Sequence, residues 1–143
     1  MTTPFMFSHL DHIAILVKDT EEALAFYRDK LGLTVRVSEK FEQTNVRLTH
    51  LDLGNLDLQL VEPLTADHPL KEELDRRGEC LHHLCLRTES LPDSADGFSA
   101  AGINLKAPNP HPAVEGKKAL FLKSEDTRGI VWELTGPDPQ EAS

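Results

Sequence analysis

The pattern of apolar and polar positions in this chain changes period several times, and each change marks an element. Leu10-Asp11-His12-Ile13-Ala14-Ile15-Leu16-Val17 is rich in branched apolar residues and reads as a β-strand. Asp19 then stands three residues before Glu22, the spacing of a helix capping box. Leu24, Tyr27 and Leu31 recur at helical spacing, and Gly32 closes the segment. Leu33 to Ser38, Val46 to Leu53 and Leu56 to Val61 read as three further strands, with Gly54-Asn55 as a tight turn between the last two. From Pro63 to Gly78 the pattern is that of a short connecting helix: Asp67 or His68 can cap it, Pro69 suits its first turn and Gly78 stops it.

After Gly78 the pattern restarts. Leu81-His82-His83-Leu84-Cys85-Leu86-Arg87 repeats the character of the first strand. A helix is expected from about Ser90 to Ala101, closed by Gly102 and weakened by Pro92 and Gly97. Strands are expected at Ile103 to Ala107, Ala119 to Lys123 and Ile130 to Thr135, with a loop holding Pro108, Pro110 and Pro112 after the first. Each half therefore reads strand, helix, three strands. His12 and His83 lie 71 residues apart, and Gln59 and Glu133 lie 74 apart. These nearly equal offsets describe one duplicated unit. The expected organisation is a single α+β domain over residues 1–143, with module one at about 8–64, a connector helix at 65–79 and module two at about 80–136.

Strand parity selects the candidate chemistry, because alternate side chains of a strand face opposite sides. Ile13, Ile15 and Val17 oppose His12; Leu58 and Leu60 oppose Gln59; Leu84 and Leu86 oppose His83; Ile130, Trp132 and Leu134 oppose Glu133. One face of each strand can lie under a helix, and the other carries a single group able to ligate metal. Glu133 is the most telling, since a carboxylate set in an apolar run costs several kcal/mol unless it is paired or bound to a metal. Two half-sheets related by a pseudo-twofold would bring His12, Gln59, His83 and Glu133 around one point. Such donors suit zinc, nickel, cobalt, manganese or iron, and an octahedral ion so held keeps two positions for a substrate with adjacent oxygens. His9, His50, His68, His82 and His111 read as packed or hydrogen-bonded side chains.

Composition narrows the class further. The chain has 143 residues, 39% of them apolar, enough for a folded core. No apolar run approaches the roughly 20 residues that span a bilayer, and Met1-Thr2-Thr3-Pro4-Phe5 shows no secretory signal, so no membrane partner is expected. With 24 acidic against 15 basic side chains and a formal charge of −9, a broad nucleic-acid surface is excluded. Lys106, Lys117, Lys118, Lys123 and Arg128 form the one basic cluster that could meet an anionic ligand. Cys80 and Cys85 sit five apart on one expected strand, on opposite faces. Both are read as reduced, in keeping with a cytoplasmic location.

The quoted residues resemble the vicinal oxygen chelate superfamily, which includes glyoxalase I, methylmalonyl-CoA epimerase, extradiol dioxygenases and fosfomycin-resistance enzymes. Asp11-His12-Ile13-Ala14, Ala25-Phe26-Tyr27 followed by Leu31-Gly32-Leu33, and Glu133 carry that likeness. A closer likeness, to methylmalonyl-CoA epimerases, rests on Leu53-Gly54-Asn55, Leu58-Gln59-Leu60-Val61-Glu62-Pro63-Leu64, Arg77-Gly78-Glu79, Leu81-His82-His83-Leu84, Gly116-Lys117-Lys118 and Gly129-Ile130-Val131-Trp132-Glu133-Leu134. It implies paired βαβββ modules forming a curved sheet around a metal site, with His12, Gln59, His83 and Glu133 as ligands of one divalent ion (cobalt, nickel, manganese or zinc). It implies a homodimer and enolisation of an acyl-CoA thioester or other small carbonyl substrate, with Glu133 as base. Leu48 stands where some epimerases carry a glutamate proposed as a second base, which makes His50, on the same strand face, the expected substitute proton carrier; Glu42 is a weaker one. The segment Lys123-Ser124-Glu125-Asp126-Thr127-Arg128 also departs from the usual epimerase loop. The alternatives are a glyoxalase I-like lyase, an iron oxygenase using His12, His83 and Glu133, and a metal-poor antibiotic-binding protein of the same fold.

Overall fold

A computed structural model describes residues 7–138. The extreme N-terminal residues, read above for a secretory signal, lie outside the described residues. The chain forms two compact units, one of residues His12–His82 and one joining the residues up to Asp11 with those from His83 onward. The division falls within two strands, after Asp11 and after His82, and it assigns the connecting helix to the His12–His82 unit.

In the His12–His82 unit the elements are β1 (His9–Leu16, entered from Asp11), α1 (Thr20–Tyr27), β2 (Thr34–Phe41), β3 (Val46–Asp52), β4 (Asp57–Pro63) and α2 (Pro69–Arg77). Strand order is β2-β3-β4-β1: β3 runs antiparallel to β2 and β4, and β4 runs parallel to β1. Asp19 caps α1 by accepting from the Glu22 amide, as the capping box predicts. Glu62 on β4 accepts from the Thr20 amide at 3.0 Å and from its hydroxyl at 2.6 Å, fastening the positive end of α1 to the sheet. Under α1 pack Val17, Ala23, Leu24, Leu51, Leu58 and Leu60, with Ile15 and Tyr27 beside them. Each such buried leucine contributes about 1.5–3 kcal/mol. Leu31 does not join them and is exposed, because the α-helix ends at Tyr27 and the following turns carry it outward. His68 is the cap of α2, with its Nδ1 accepting from the Leu70 amide.

In the other unit the elements are β5 (Cys80–Arg87), α3 (Leu91–Ala100), β6 (His111–Pro112), β7 (Lys118–Phe121) and β8 (Trp132–Gly136). The order is β5-β8-β7-β6, with β8 parallel to β5 and antiparallel to β7. Leu91, Ala95, Phe98, Leu120, Leu122 and Leu134 pack under α3, with Leu86 and Trp132 beside them. The strand expected at Ile103 to Ala107 is not formed; Leu105 makes one isolated bridge to Leu122. The pairing strand is instead the two-residue β6 inside the proline-rich loop. Pro110 and Pro112 lack amide donors, which confines this edge to a short ladder. Ile130, expected under the helix, is 51% exposed, since β8 starts only at Trp132.

The two units are thus both βαβββ modules, and their registers repeat. Ala14 pairs with Gln59, and His12 stands two residues earlier on β1; Cys85 pairs with Glu133, and His83 stands two residues earlier on β5. No described helix is long and apolar enough to cross a membrane.

Candidate functional site

Each unit holds a buried oxygen donor with a buried imidazole beside it on the sheet face opposite its helix. In the His12–His82 unit these are His12 and Gln59, each 4% exposed. They share a face because Ala14, the partner of Gln59, is two residues from His12. His50 on β3 pairs directly with Gln59, and its ring lies 5.0 Å from that of His12, edge to face.

His50 is 1% exposed and has both ring nitrogens engaged within this unit. Nδ1 lies 2.9 Å from Asp57 Oδ2, and Nε2 lies 3.0 Å from Gln59 Nε2. The Asp57 carboxylate can only accept, so Nδ1–H donates to it, and Nε2 then accepts from the Gln59 amide. The amide nitrogen of Gln59 is thereby committed to His50, and its carbonyl oxygen is the atom with lone pairs to offer a cation. Arg36 donates to Asp57 through Nη2 at 2.7 Å and Nε at 3.0 Å. Burial pushes the Asp57 carboxyl up, but the hydrogen bonds from Arg36 and His50, with the Arg36 charge, outweigh it and hold the group below its ordinary value.

In the other unit Glu133 is 5% exposed and lies between two imidazoles. His83 Nε2 is 3.1 Å from Oε1, and His111 Nε2 is 2.9 Å from Oε2. Phe121, the cross-strand partner of Glu133, meets His83 edge to face at 5.1 Å and stacks on His111 at 5.2 Å. Cys85 adjoins Glu133; burial first, then the nearby carboxylates of Glu133 and Asp11, pushes its thiol well up, so it stays protonated. Asp11 faces Arg87 at 3.6 Å and Lys117 at 4.0 Å. Of the basic cluster, Lys117 is also 3.9 Å from Glu115, and Lys106 lies over the Phe121 ring.

An imidazole nitrogen beside a carbonyl or carboxylate oxygen is a donor set whose chemistry suits a divalent ion. Two donors at about 2.1 Å from an octahedral ion, at right angles, stand about 3 Å apart. The His83–Glu133 spacing of 3.1 Å matches that bite.

The sequence presents His111 as a packed or hydrogen-bonded histidine and gives no sign that its partner is Glu133. No local signal reveals it, because the contact depends on where a two-residue strand pairs. The neighbouring prolines, which hold that segment extended, were the available hint. His50 lies on the strand face its parity indicated. Leu48, on the same strand, is buried and apolar, and its cross-strand partner on β2 is Glu39. Both cysteines are free thiols.

Residues 11–121 match the sequence model of the Glyoxalase/Bleomycin resistance protein/Dioxygenase superfamily, and the chain belongs to that family. Within it, the chain is 31% identical over 131 residues to an ethylmalonyl-CoA/methylmalonyl-CoA epimerase of Cereibacter sphaeroides, covering 90% of this chain and 98% of the relative. It is 33% identical over 130 residues to the uncharacterized protein YqjC of Bacillus subtilis, covering 91% and 93%. Among solved structures, it is similar to a variant of Streptomyces coelicolor methylmalonyl-CoA epimerase in complex with 2-nitronate-propionyl-CoA. That match has a TM-score of 0.83 and 28% identity, and covers 91% of this chain and 97% of the other.

Proposed function

We propose that this protein is a metal-dependent enzyme that labilises the proton alpha to the carbonyl of an acyl-CoA thioester, an epimerase of the methylmalonyl-CoA type. The observation that carries the reading is the buried Glu133 carboxylate set 3.1 Å from His83, repeated in the other unit by Gln59 and His12 on the same face. Relatives named as epimerases support the substrate class.

In this reading His12, Gln59, His83 and Glu133 would hold one divalent ion. When bound, such an ion supplies a positive centre that stabilises the negative charge developing on the substrate oxygens as the proton leaves. Glu133 takes the alpha proton. The carboxylate is buried beside the Phe121 ring, which limits access of bulk solvent to it. Asp57 and Arg36 hold the His50 ring, which in turn holds the Gln59 amide.

Epimerisation also requires return of a proton to the opposite side of the carbon. Leu48 offers none, and Nε2 of His50 is occupied by Gln59. These two observations favour, as a second reading, a lyase of the glyoxalase I type acting on a hemithioacetal, which can run with Glu133 and one partner. The deciding experiment follows the alpha proton of methylmalonyl-CoA by NMR in heavy water, with protein reconstituted in cobalt. Enzyme-dependent exchange, abolished in Glu133→Gln, supports the epimerase. Absence of exchange, together with conversion of the hemithioacetal of methylglyoxal, would replace it with the lyase.

A further inference from the structure

Each oxygen donor of the candidate site is gripped by an imidazole from another strand of its own unit, and the two grips have opposite polarity. On β3, His50 Nε2 faces the amide nitrogen of Gln59 at 3.0 Å, while its Nδ1 is fixed by Asp57 at 2.9 Å. On β6, His111 Nε2 faces Oε2 of Glu133 at 2.9 Å, and its ring lies flat on Phe121, with planes 18° apart. Neither contact is between neighbours in sequence: nine residues separate His50 from Gln59, and 22 separate His111 from Glu133.

We infer that His50 and His111 are a matched pair of positioning residues, each fixing which atom of its neighbour is presented for ligation. His50 accepts from the Gln59 amide nitrogen and so turns the carbonyl oxygen outward. His111 donates to Oε2 of Glu133 and so leaves Oε1, beside His83, as the ligating oxygen. Without His50, the Gln59 amide is free to rotate and present a nitrogen, which carries no lone pair for a cation. Without His111, Glu133 loses the charge-assisted hydrogen bond on Oε2 and can swing or offer both oxygens. Groups of this kind tune affinity by about 10–100-fold.

The polarity dictates tautomers. Asp57 requires a proton on His50 Nδ1, so Nε2 of that ring is bare; Glu133 requires a proton on His111 Nε2. The inference rests on the metal reading above only for its effect on affinity; the tautomers are a property of the metal-free chain.

The test has two arms. In the first, cobalt(II) is titrated calorimetrically into metal-free wild type, His111→Ala, His111→Gln, His50→Leu and His50→Gln, each checked by thermal melting. His111→Ala and His50→Leu are expected to weaken binding about 10–100-fold. His111→Gln, which keeps an N–H donor, and His50→Gln, which keeps an acceptor, should recover most of that loss. Wild-type affinity in folded His111→Ala and His50→Leu overturns the inference. In the second arm, imidazole nitrogen NMR of the metal-free protein should show His50 in the Nδ1–H form and His111 in the Nε2–H form. The reverse tautomer at either ring overturns the inference even where wild type binds cobalt. Failure of wild type to bind cobalt, with the two tautomers as stated, removes the metal reading and leaves the positioning roles standing.

Discussion

Replacing Asp57 with asparagine strikes the network behind Gln59 at its one formal negative charge. Asp57 accepts from the His50 ring, whose side chain is 2% exposed, and from Arg36, which is 38% exposed. The buried His50 bond to a charged acceptor is the larger loss, on the order of 1.5–3 kcal/mol. The Arg36 bridge, open to solvent and screened, adds about 0.2–1 kcal/mol. Asparagine keeps one acceptor oxygen, so a net loss of about 2 kcal/mol is expected near neutral pH, or roughly 4–8 °C in Tm for a chain of this size. The pH dependence is the sharper part. The folded-state carboxyl of Asp57 titrates below its unfolded value. Its contribution is therefore fully present above about pH 3.9 and is lost as pH falls through the depressed folded value. Urea unfolding of wild type and Asp57→Asn between pH 7 and about pH 3 should give two stability curves that converge toward the acid end. Curves that coincide at pH 7, or stay a constant distance apart down to pH 3, would refute the argument.

Three further outcomes follow from the same geometry. Glu133→Gln should lower alpha-proton exchange by about 10²–10⁴ and stability by about 1–3 kcal/mol, read by heavy-water NMR and urea melts; exchange at the wild-type rate would remove Glu133 as the base. Gly136→Ala should cost about 3 kcal/mol by denaturant unfolding, because its Cβ would stand 2.2 Å from the Thr88 carbonyl oxygen and only the backbone could give way; a stable variant would mean that β8 ends differently. A thiol reagent should label the partly exposed Cys80 in native protein and spare Cys85, whose buried thiol sits beside two carboxylates, until urea is added; equal native rates would contradict that burial.

Much of this arrangement is legible in the sequence, because it is local. The capping box at Asp19 and Glu22, the stop at Gly78 and the one-sided apolar faces of β1, β4, β5 and β8 are all set by neighbours within a few residues. The duplication added a long-range constraint, pairing His12 with His83 and Gln59 with Glu133. What could not be read depends on register between strands. That His50 lies opposite Gln59, and that Asp57 reaches its far nitrogen, follows from how β3 and β4 align. That His111 meets Glu133 depends on a two-residue strand where the pattern gave only a loop, while the apolar run Ile103 to Ala107 drew the strand assignment instead. Leu31 and Ile130 show the opposite error: their spacing was right, but their elements end or start short of them.

The proposed function requires that donors from both modules serve one ion. Cobalt(II) binding to metal-free protein, followed by visible absorption and calorimetry, should give one ion per chain. His12→Ala in one module and His83→Ala in the other should each weaken that same single event by about 100-fold or more. Undiminished binding in either variant, or two independent ions per chain, would contradict it.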